Sequence, residues 1–150
     1  MPGYFITGTD TGVGKTRVAA ALLRECAASG RRAIGMKPVA SGIEWRNGQA
    51  YWQDVEALQA ASTVDAPLAL RNPYRLEPAI APHIAAKLSG ITIDILRIQA
   101  AYVQLTHLAD IVMVEGAGGV YAPLTAQHDT FTRFTQCASH YGGGAKGGAY

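Results

Sequence analysis

The amino-acid sequence predicts an α/β protein with a doubly wound, mainly parallel β-sheet. Three short apolar runs, at residues 4–7, 33–36 and 111–114, have the composition of buried parallel strands. A glycine-rich loop follows the first run, and a strongly helix-forming segment separates the first run from the second. Strand, loop, helix and strand in this order make a βαβ unit, from which parallel sheets are built.

The first strand is expected at residues 4–7, which are aromatic or β-branched. Residues 18–28 should form the first helix, and Gly30 stands where a glycine commonly terminates a helix. The apolar run at 33–36 gives the second strand. Residues 41–52 contain Ser, Gly, Asn and Trp without clear periodicity, so a loop is predicted there.

Beyond residue 53 the sequence predicts three helices and a buried strand. Residues 54–61 fit a short helix, whereas residues 62–82 are rich in Pro and polar side chains and should form a long surface connection. A short helix is expected at 83–88, and apolar residues at helical spacing predict an amphipathic crossover helix at 93–108. The strand at 111–114 follows. Because ligands bind beyond the carboxyl ends of the strands in such sheets, the loops after the three strands should converge.

Composition excludes several classes of function. The chain has 150 residues, is 49% hydrophobic and carries a formal net charge of only +2, so neither nucleic-acid nor membrane binding is expected. No apolar run approaches the roughly 20 residues that a membrane helix needs. The sequence runs directly from Met1 into a strand-like segment, so we expect no signal peptide, and Cys26 and Cys137 make no disulfide framework. A soluble, cytoplasmic domain is expected.

The loop between the first strand and the first helix carries a variant of the phosphate-binding pattern G-x-x-x-x-G-K-[ST], with its first glycine, Gly8, one place early. Gly12 and Gly14 would let backbone N–H groups approach phosphate oxygens closely. The helix beginning near Lys15 would present its positive end to the anion. Lys15 can reach the β and γ phosphates and Thr16 can ligate Mg²⁺, which predicts a P-loop NTPase-like fold. The alternative is a glycine-rich turn with an exposed lysine.

Four segments together resemble the motifs of ATP-dependent dethiobiotin synthetases, in that family's order and at similar spacing. They are Gly8-Thr9-Asp10-Thr11 with its continuation to Thr16, Lys37-Pro38-Val39-Ala40-Ser41-Gly42, Asn72-Pro73-Tyr74 with Pro78 and Ala81-Pro82-His83, and Val114-Glu115-Gly116-Ala117-Gly118-Gly119. The resemblance covers residues 4 to about 124. A phosphate loop alone would indicate nucleotide binding, whereas the four segments together indicate the family.

The resemblance implies a reaction and its participants. The family carboxylates 7,8-diaminononanoate with CO₂, phosphorylates the carbamate with ATP and closes a cyclic urea, giving dethiobiotin for biotin synthesis. ATP and Mg²⁺ are the implied cofactors, and a homodimer is the implied state of the full-length protein. Because a carbamate anion meets a triphosphate, the site needs concentrated positive charge, which Lys37 and Lys15 would supply as catalytic residues.

The remaining roles follow from the same resemblance. Ser41 would hydrogen-bond the substrate. Three residues would hold Mg²⁺ through oxygen ligands: Thr16, Asp54 and Glu115. The nucleotide would contact these residues: Gly12, Val13, Gly14, Lys15, Thr16, Arg17, Asp54, Glu115, Gly116, Ala117 and Gly118. Position alone leaves alternatives open, because Asp54 could simply cap a helix and Lys37 could be a solvated lysine.

The C-terminal segment departs from the family. The resemblance fades after about residue 124, so we expect a P-loop α/β domain at 1–124, incomplete at its C-terminus, and a divergent tail at 125–150. The glycine-rich end could be a flexible terminus or a cloning scar. Glycine codons are GGN, so reading one base later permits valine, and the shifted frame can encode an apolar strand and turn. We therefore favour a frameshifted or truncated gene.

Three functions remain open from the sequence. The leading one is the dethiobiotin-forming ligase. The second is another P-loop ATPase, such as a cobyrinic-acid amidating synthetase or a partitioning-type ATPase, although the latter usually carries an extra lysine early in the loop. Here Thr9, Asp10 and Thr11 occupy that stretch. The third is a nucleotide-binding fragment without turnover.

Overall fold

The computed structural model describes residues 3–120, 122–125 and 128–129. The strands are β1 Gly3–Ile6, β2 Ala33–Met36, β3 Val39–Ser41, β4 Glu44–Arg46, β5 Gln49–Tyr51, β6 Tyr74–Leu76, β7 Ile111–Glu115, β8 Pro123–Thr125 and β9 His128–Asp129. The helices are α1 Lys15–Ala28, α2 Gln53–Ala61, α3 Leu68–Arg71, α4 Pro82–Leu88 and α5 Ile95–Leu108. In the central sheet β7 lies between β1 and β2 and pairs in parallel with both. The predicted α/β class is confirmed.

Helices α1 and α2 cover one face of this sheet. Leu23 of α1 and Leu58 of α2 are fully buried in a cluster that includes Met113 of β7. Gly35 in β2 makes the close packing possible, because a Cβ there would lie 2.9 Å from the Leu58 Cβ and 3.0 Å from the Leu23 Cδ1. This packing fixes the start of α1 beside the carboxyl ends of β2 and β7.

Helix α5 covers the opposite face, as a doubly wound sheet requires. Ile98 and Leu105 are buried with Val112 and Val114 of β7, whose side chains alternate with those that face α1. Asp94 caps α5 by accepting a hydrogen bond of 2.8 Å from the main-chain N–H two residues ahead. The predicted crossover helix is therefore present, with Asp94 just outside it. Within the described part of the chain, no helix is long and apolar enough to cross a membrane.

The prediction of a plain loop at residues 41–52 is wrong. This stretch contains the antiparallel hairpin of β4 and β5. Asn47 and Gly48 connect the two strands with φ angles of 51° and 77°. A tight hairpin turn of this kind needs left-handed backbone at both central positions, which Asn-Gly supplies at low cost. The dipeptide was the available signal, and a search for periodicity alone does not detect it.

The prediction of a surface connection at residues 62–82 is also wrong. The segment contains α3 and β6, and β6 pairs in parallel with β3 and fully buries Leu76. Arg71 and Asn72 are buried as well, at 3% and 1% exposure. Both side chains donate hydrogen bonds to main-chain carbonyls, which offsets part of the cost of burying them.

The expectations for the C-terminal tail fall mostly outside the described residues. The hypothesis of a frameshift and the glycine-rich end at 142–150 concern this part of the chain. Of residues 125–150, the structure describes only residue 125 and the short strand β9, which pairs antiparallel with β8. The boundary near residue 124 therefore stays a prediction.

Candidate functional site

A cavity of about 750 Å³ lies beside the start of α1, where β2 and β7 end. Separate parts of the chain supply its walls, and most of the residues predicted for the site are among them. Those that line it are Gly12, Gly14, Lys15, Thr16, Arg17, Lys37, Ser41, Asp54, Glu115, Ala117 and Gly118. Two predicted residues do not: Val13 is 49% exposed, and Gly116 is buried with its N–H donating to the carbonyl of Ile6 at 3.0 Å.

The glycine-rich loop has the backbone that an anion-binding turn needs. Gly12 and Gly14 have φ angles of 79° and 105°, and nothing lies within 4 Å of a Cβ placed on either residue. Their requirement for glycine is therefore conformational rather than a matter of space. Gly14 precedes α1 and no side chain caps the helix, so the first N–H groups of α1 remain available to an anion.

Lys15 points back toward its own loop. Its Nζ donates a hydrogen bond of 2.6 Å to the carbonyl oxygen of Asp10, and the residue is 7% exposed. Burial lowers the pKa of Lys15, and the positive charge of Lys37 lowers it further. A phosphate in the loop would offer Lys15 a charged acceptor in place of a neutral carbonyl.

Lys37 lies between two carboxylates. Its Nζ is 2.6 Å from Oε1 of Glu115 and 2.8 Å from Oδ2 of Asp54. The Oγ1 of Thr16 lies 2.9 Å from both carboxylates, and its single hydrogen can be donated to one of them at a time. Residues from α1, α2, the end of β2 and the end of β7 thus meet at one point.

The two carboxylates differ in burial. The side chain of Glu115 is 1% exposed, whereas that of Asp54 is 44% exposed. Burial raises the pKa of Glu115, although Lys37 and Thr16 oppose the effect. Burial also acts to raise the pKa of Asp54, but the charge and hydrogen bond of Lys37, with Thr16 and Lys15, outweigh it and lower the pKa. The charge of Glu115 therefore depends most on a nearby cation.

The same oxygen atoms could hold a hard metal ion such as Mg²⁺. Thr16, Asp54 and Glu115 supply a hydroxyl and two carboxylates, and Oε2 of Glu115 is buried without a hydrogen-bond partner. Among the described residues, no group of three or more His, Cys, Asp and Glu side chains converges to hold a metal alone. Mg²⁺ sites with few protein ligands are completed by water and phosphate oxygens, so the residues fit an ion that accompanies a nucleotide.

Several residues at or near this site were missed from the sequence. Arg24 of α1 and Gln53 of α2 extend the cavity lining. Arg24 lies seven residues after Arg17, and this helical spacing could have indicated that both face the cavity. Asn72 donates to the carbonyl of Lys37; its segment was among those that carry the family resemblance, but no role was predicted for the residue itself.

Comparison with known proteins identifies the family of the chain. The AAA domain family matches residues 2–137 of the chain. The chain is 56% identical over 128 residues to the ATP-dependent dethiobiotin synthetase of Nitrosospira multiformis, covering 85% of this chain and 55% of that protein. The corresponding protein of Aromatoleum aromaticum is 50% identical over 127 residues, covering 85% and 56%. That of Xylella fastidiosa is 46% identical over 137 residues, covering 88% and 58%. The resemblance stated from the sequence is confirmed, and the chain spans little over half the length of these relatives.

Proposed function

The chain belongs to the AAA domain family, and on that premise we propose that it is the nucleotide-binding part of an ATP-dependent dethiobiotin synthetase. The reaction would be carboxylation of 7,8-diaminononanoate by CO₂, phosphorylation of the carbamate by ATP, and closure of the cyclic urea. The observation that carries the proposal is the convergence of Lys37, Thr16 and Glu115 beside a phosphate-binding loop. A carbamate and a triphosphate could meet there.

Each residue would have a role that follows from its position. The N–H groups at the start of α1 and the Nζ of Lys15 would hold the β and γ phosphates. Lys37 would offset negative charge on the transferring phosphoryl group and the carbamate, which makes its contribution largest in the transition state. Ser41, half-buried at the end of β3 and in the cavity wall, would hydrogen-bond the substrate.

Magnesium would be held by Thr16, Asp54 and Glu115. When bound, Mg²⁺ would neutralise phosphate charge and orient the phosphate oxygens. These side chains provide oxygen atoms alone, which is the donor type that a hard cation prefers over softer metals. Asp54 lies in the first turn of α2, one residue inside the helix, so capping is not its role.

The wider setting is part of the same proposal. We propose a P-loop domain over residues 1–124, followed by a divergent tail at 125–150, with a homodimer and a cytoplasmic location for the full-length protein. Because the chain spans little over half the length of its relatives, we expect the 150-residue chain by itself to have little synthetase activity. No membrane or nucleic-acid partner is proposed.

The test is formation of dethiobiotin from ATP, Mg²⁺, bicarbonate and 7,8-diaminononanoate. The assay compares the 150-residue chain with a version extended to the length of the relatives. We expect product from the extended protein and little from the shorter chain. If the extended protein binds ATP but forms no dethiobiotin, the proposed reaction is wrong, and a different ATP-dependent reaction becomes the leading hypothesis.

A second measurement on the extended protein tests the role of Lys37. Lys37→Ala should lower kcat by about 10²–10³-fold while the dissociation constant of ATP changes much less, because the interaction strengthens as charge moves during transfer. The exposed Lys87, replaced in the same way, is the matched control and should leave both quantities unchanged. An unchanged kcat for Lys37→Ala would remove Lys37 from the mechanism.

A further inference from the structure

The ammonium group of Lys37 occupies the space between the oxygen atoms proposed as Mg²⁺ ligands. It lies 2.6 Å from Glu115 Oε1 and 2.8 Å from Asp54 Oδ2, and 3.3 Å from the carbonyl oxygen of Gly116. A lysine ammonium has three hydrogens, and these three acceptors satisfy all of them. Lys37 thus fills the position that a small cation would take.

A divalent cation at the same carboxylates would have to compete with Lys37. Oε2 of Glu115 has no hydrogen-bond partner among the described residues and could contact a metal ion, but a second positive charge a few ångströms from the ammonium of Lys37 would be repelled. The Nζ of Lys15 likewise has a partner within the chain, the carbonyl oxygen of Asp10. Both lysines therefore have hydrogen-bond partners that the chain itself supplies.

The main chain of Lys37 is held in place, so an exchange of cations must involve its side chain. The N–H of Lys37 donates to the carbonyl of Arg71 at 2.8 Å, and its own carbonyl accepts from the side chain of the buried Asn72. These bonds join the end of β2 to the segment between α3 and β6. A long, unbranched lysine side chain can swing toward a phosphate while this backbone stays fixed.

We propose that Lys37 is the counter-ion of Glu115 and Asp54 before nucleotide binds, and that a divalent cation takes its place when nucleotide phosphate draws the ammonium away. This inference rests on the metal site of the proposed function. Its consequence is an order of binding: the metal enters with the nucleotide and binds poorly before it. Lys37 then passes from the carboxylates to the transferring phosphate as the site fills.

Binding of Mn²⁺ without nucleotide, measured by electron paramagnetic resonance on the purified chain, tests the proposal. Lys37→Gln should bind Mn²⁺ at least about tenfold more tightly than the unaltered chain, equal to about 1.4 kcal/mol. Lys37→Arg, which keeps the charge, and Lys87→Gln, on the exposed side of α4, should match the unaltered chain. Equal or weaker Mn²⁺ binding by Lys37→Gln would overturn the exchange.

A measurement on the unaltered chain keeps the test independent of the folding of the variants. Acetylation of lysines, followed by mass spectrometry, should increase at Lys37 relative to Lys87 when Mg²⁺ is added at high concentration, because the displaced ammonium loses its partners. Unchanged or reduced labelling of Lys37 would overturn the proposal. Neither assay uses diaminononanoate or turnover, so failure here is distinguishable from failure of the synthetase assignment.

Discussion

Replacing Lys37 with Met removes the cation from the buried carboxylate of Glu115 while keeping a side chain of similar length. Removing one partner of a buried pair typically costs about 3–5 kcal/mol, because the other charge is left uncompensated. Thr16 remains within hydrogen-bond distance of Glu115 and would offset about 1 kcal/mol. Asp54 is 44% exposed and contributes less, since water screens it. We therefore expect a loss of about 2–4 kcal/mol in the free energy of unfolding near pH 8.

The loss should shrink in acid, because Glu115 can become neutral. The pKa of Glu115 is raised in the folded protein by burial, and the charge and hydrogen bond of Lys37 oppose that rise. Without Lys37 the pKa must rise further. Between the ordinary glutamate pKa and this raised value the folded state binds more protons than the unfolded state, so the free energy of unfolding falls as pH rises through that window. At about pH 5 the difference between variant and parent should be smaller by about 1–2 kcal/mol.

Urea unfolding followed by circular dichroism, at about pH 5 and about pH 8, measures both quantities. Lys87→Met is the control, because Lys87 is exposed on α4 and its substitution should change stability by less than about 0.5 kcal/mol at either pH. A penalty for Lys37→Met that stays constant or grows toward low pH would refute the view that an uncompensated Glu115 charge is its source.

Three further substitutions test the packing and the loop. Gly35→Ala should destabilise the chain by about 1–3 kcal/mol in urea unfolding, because the new methyl group would contact Leu23 and Leu58; full stability would disprove the close packing of α1 and α2 on β2. Gly14→Ala should weaken ATP binding about tenfold, measured by calorimetry, because alanine at φ 105° is strained by about 1–2 kcal/mol and would shift the loop. Unchanged affinity would contradict the proposal that the backbone of this loop binds phosphate. Asn72→Ala should cost about 1–3 kcal/mol in urea unfolding, because it removes two buried hydrogen bonds to the carbonyls of Lys37 and Tyr74. A neutral effect would show that these bonds do not stabilise the fold.

The central sheet was predictable because its residues carry a strong pattern. Residues 33–36 and 111–114 are both short apolar runs, so composition alone predicts both strands. The structure buries every residue of β2 and β7. The segment around Asn72 resembles a family motif but has no apolar pattern that would predict a strand or helix. Its strand β6 has three residues with Arg75 pointing outward, and its two buried polar residues are types that normally lie at the surface.

The position of the site was predictable for a different reason. Parallel strands end at one edge, so Lys37 after β2 and Glu115 at the end of β7 had to approach the loop that follows β1. Asp54 lies in α2, which follows the hairpin of β4 and β5. The distance from Asp54 to Lys37 depends on how this hairpin positions α2, and no local sequence pattern predicts that position. The internal pairing of Lys37 with both carboxylates likewise depends on side-chain packing between distant segments.

Because β7 lies between β1 and β2, the central sheet cannot form until β7 has been synthesised. A ribosome releases the chain from its N-terminus at roughly 5–20 residues per second. Within the described strands, β1 and β2 pair with β7 and not with each other, so neither has its sheet partner until the codons for residues 111–115 have been read. Helix α1 can form as it emerges, because its hydrogen bonds are local. The apolar segments of β1 and β2 therefore remain unpaired for several seconds during synthesis, accessible to chaperones, until β7 inserts between them.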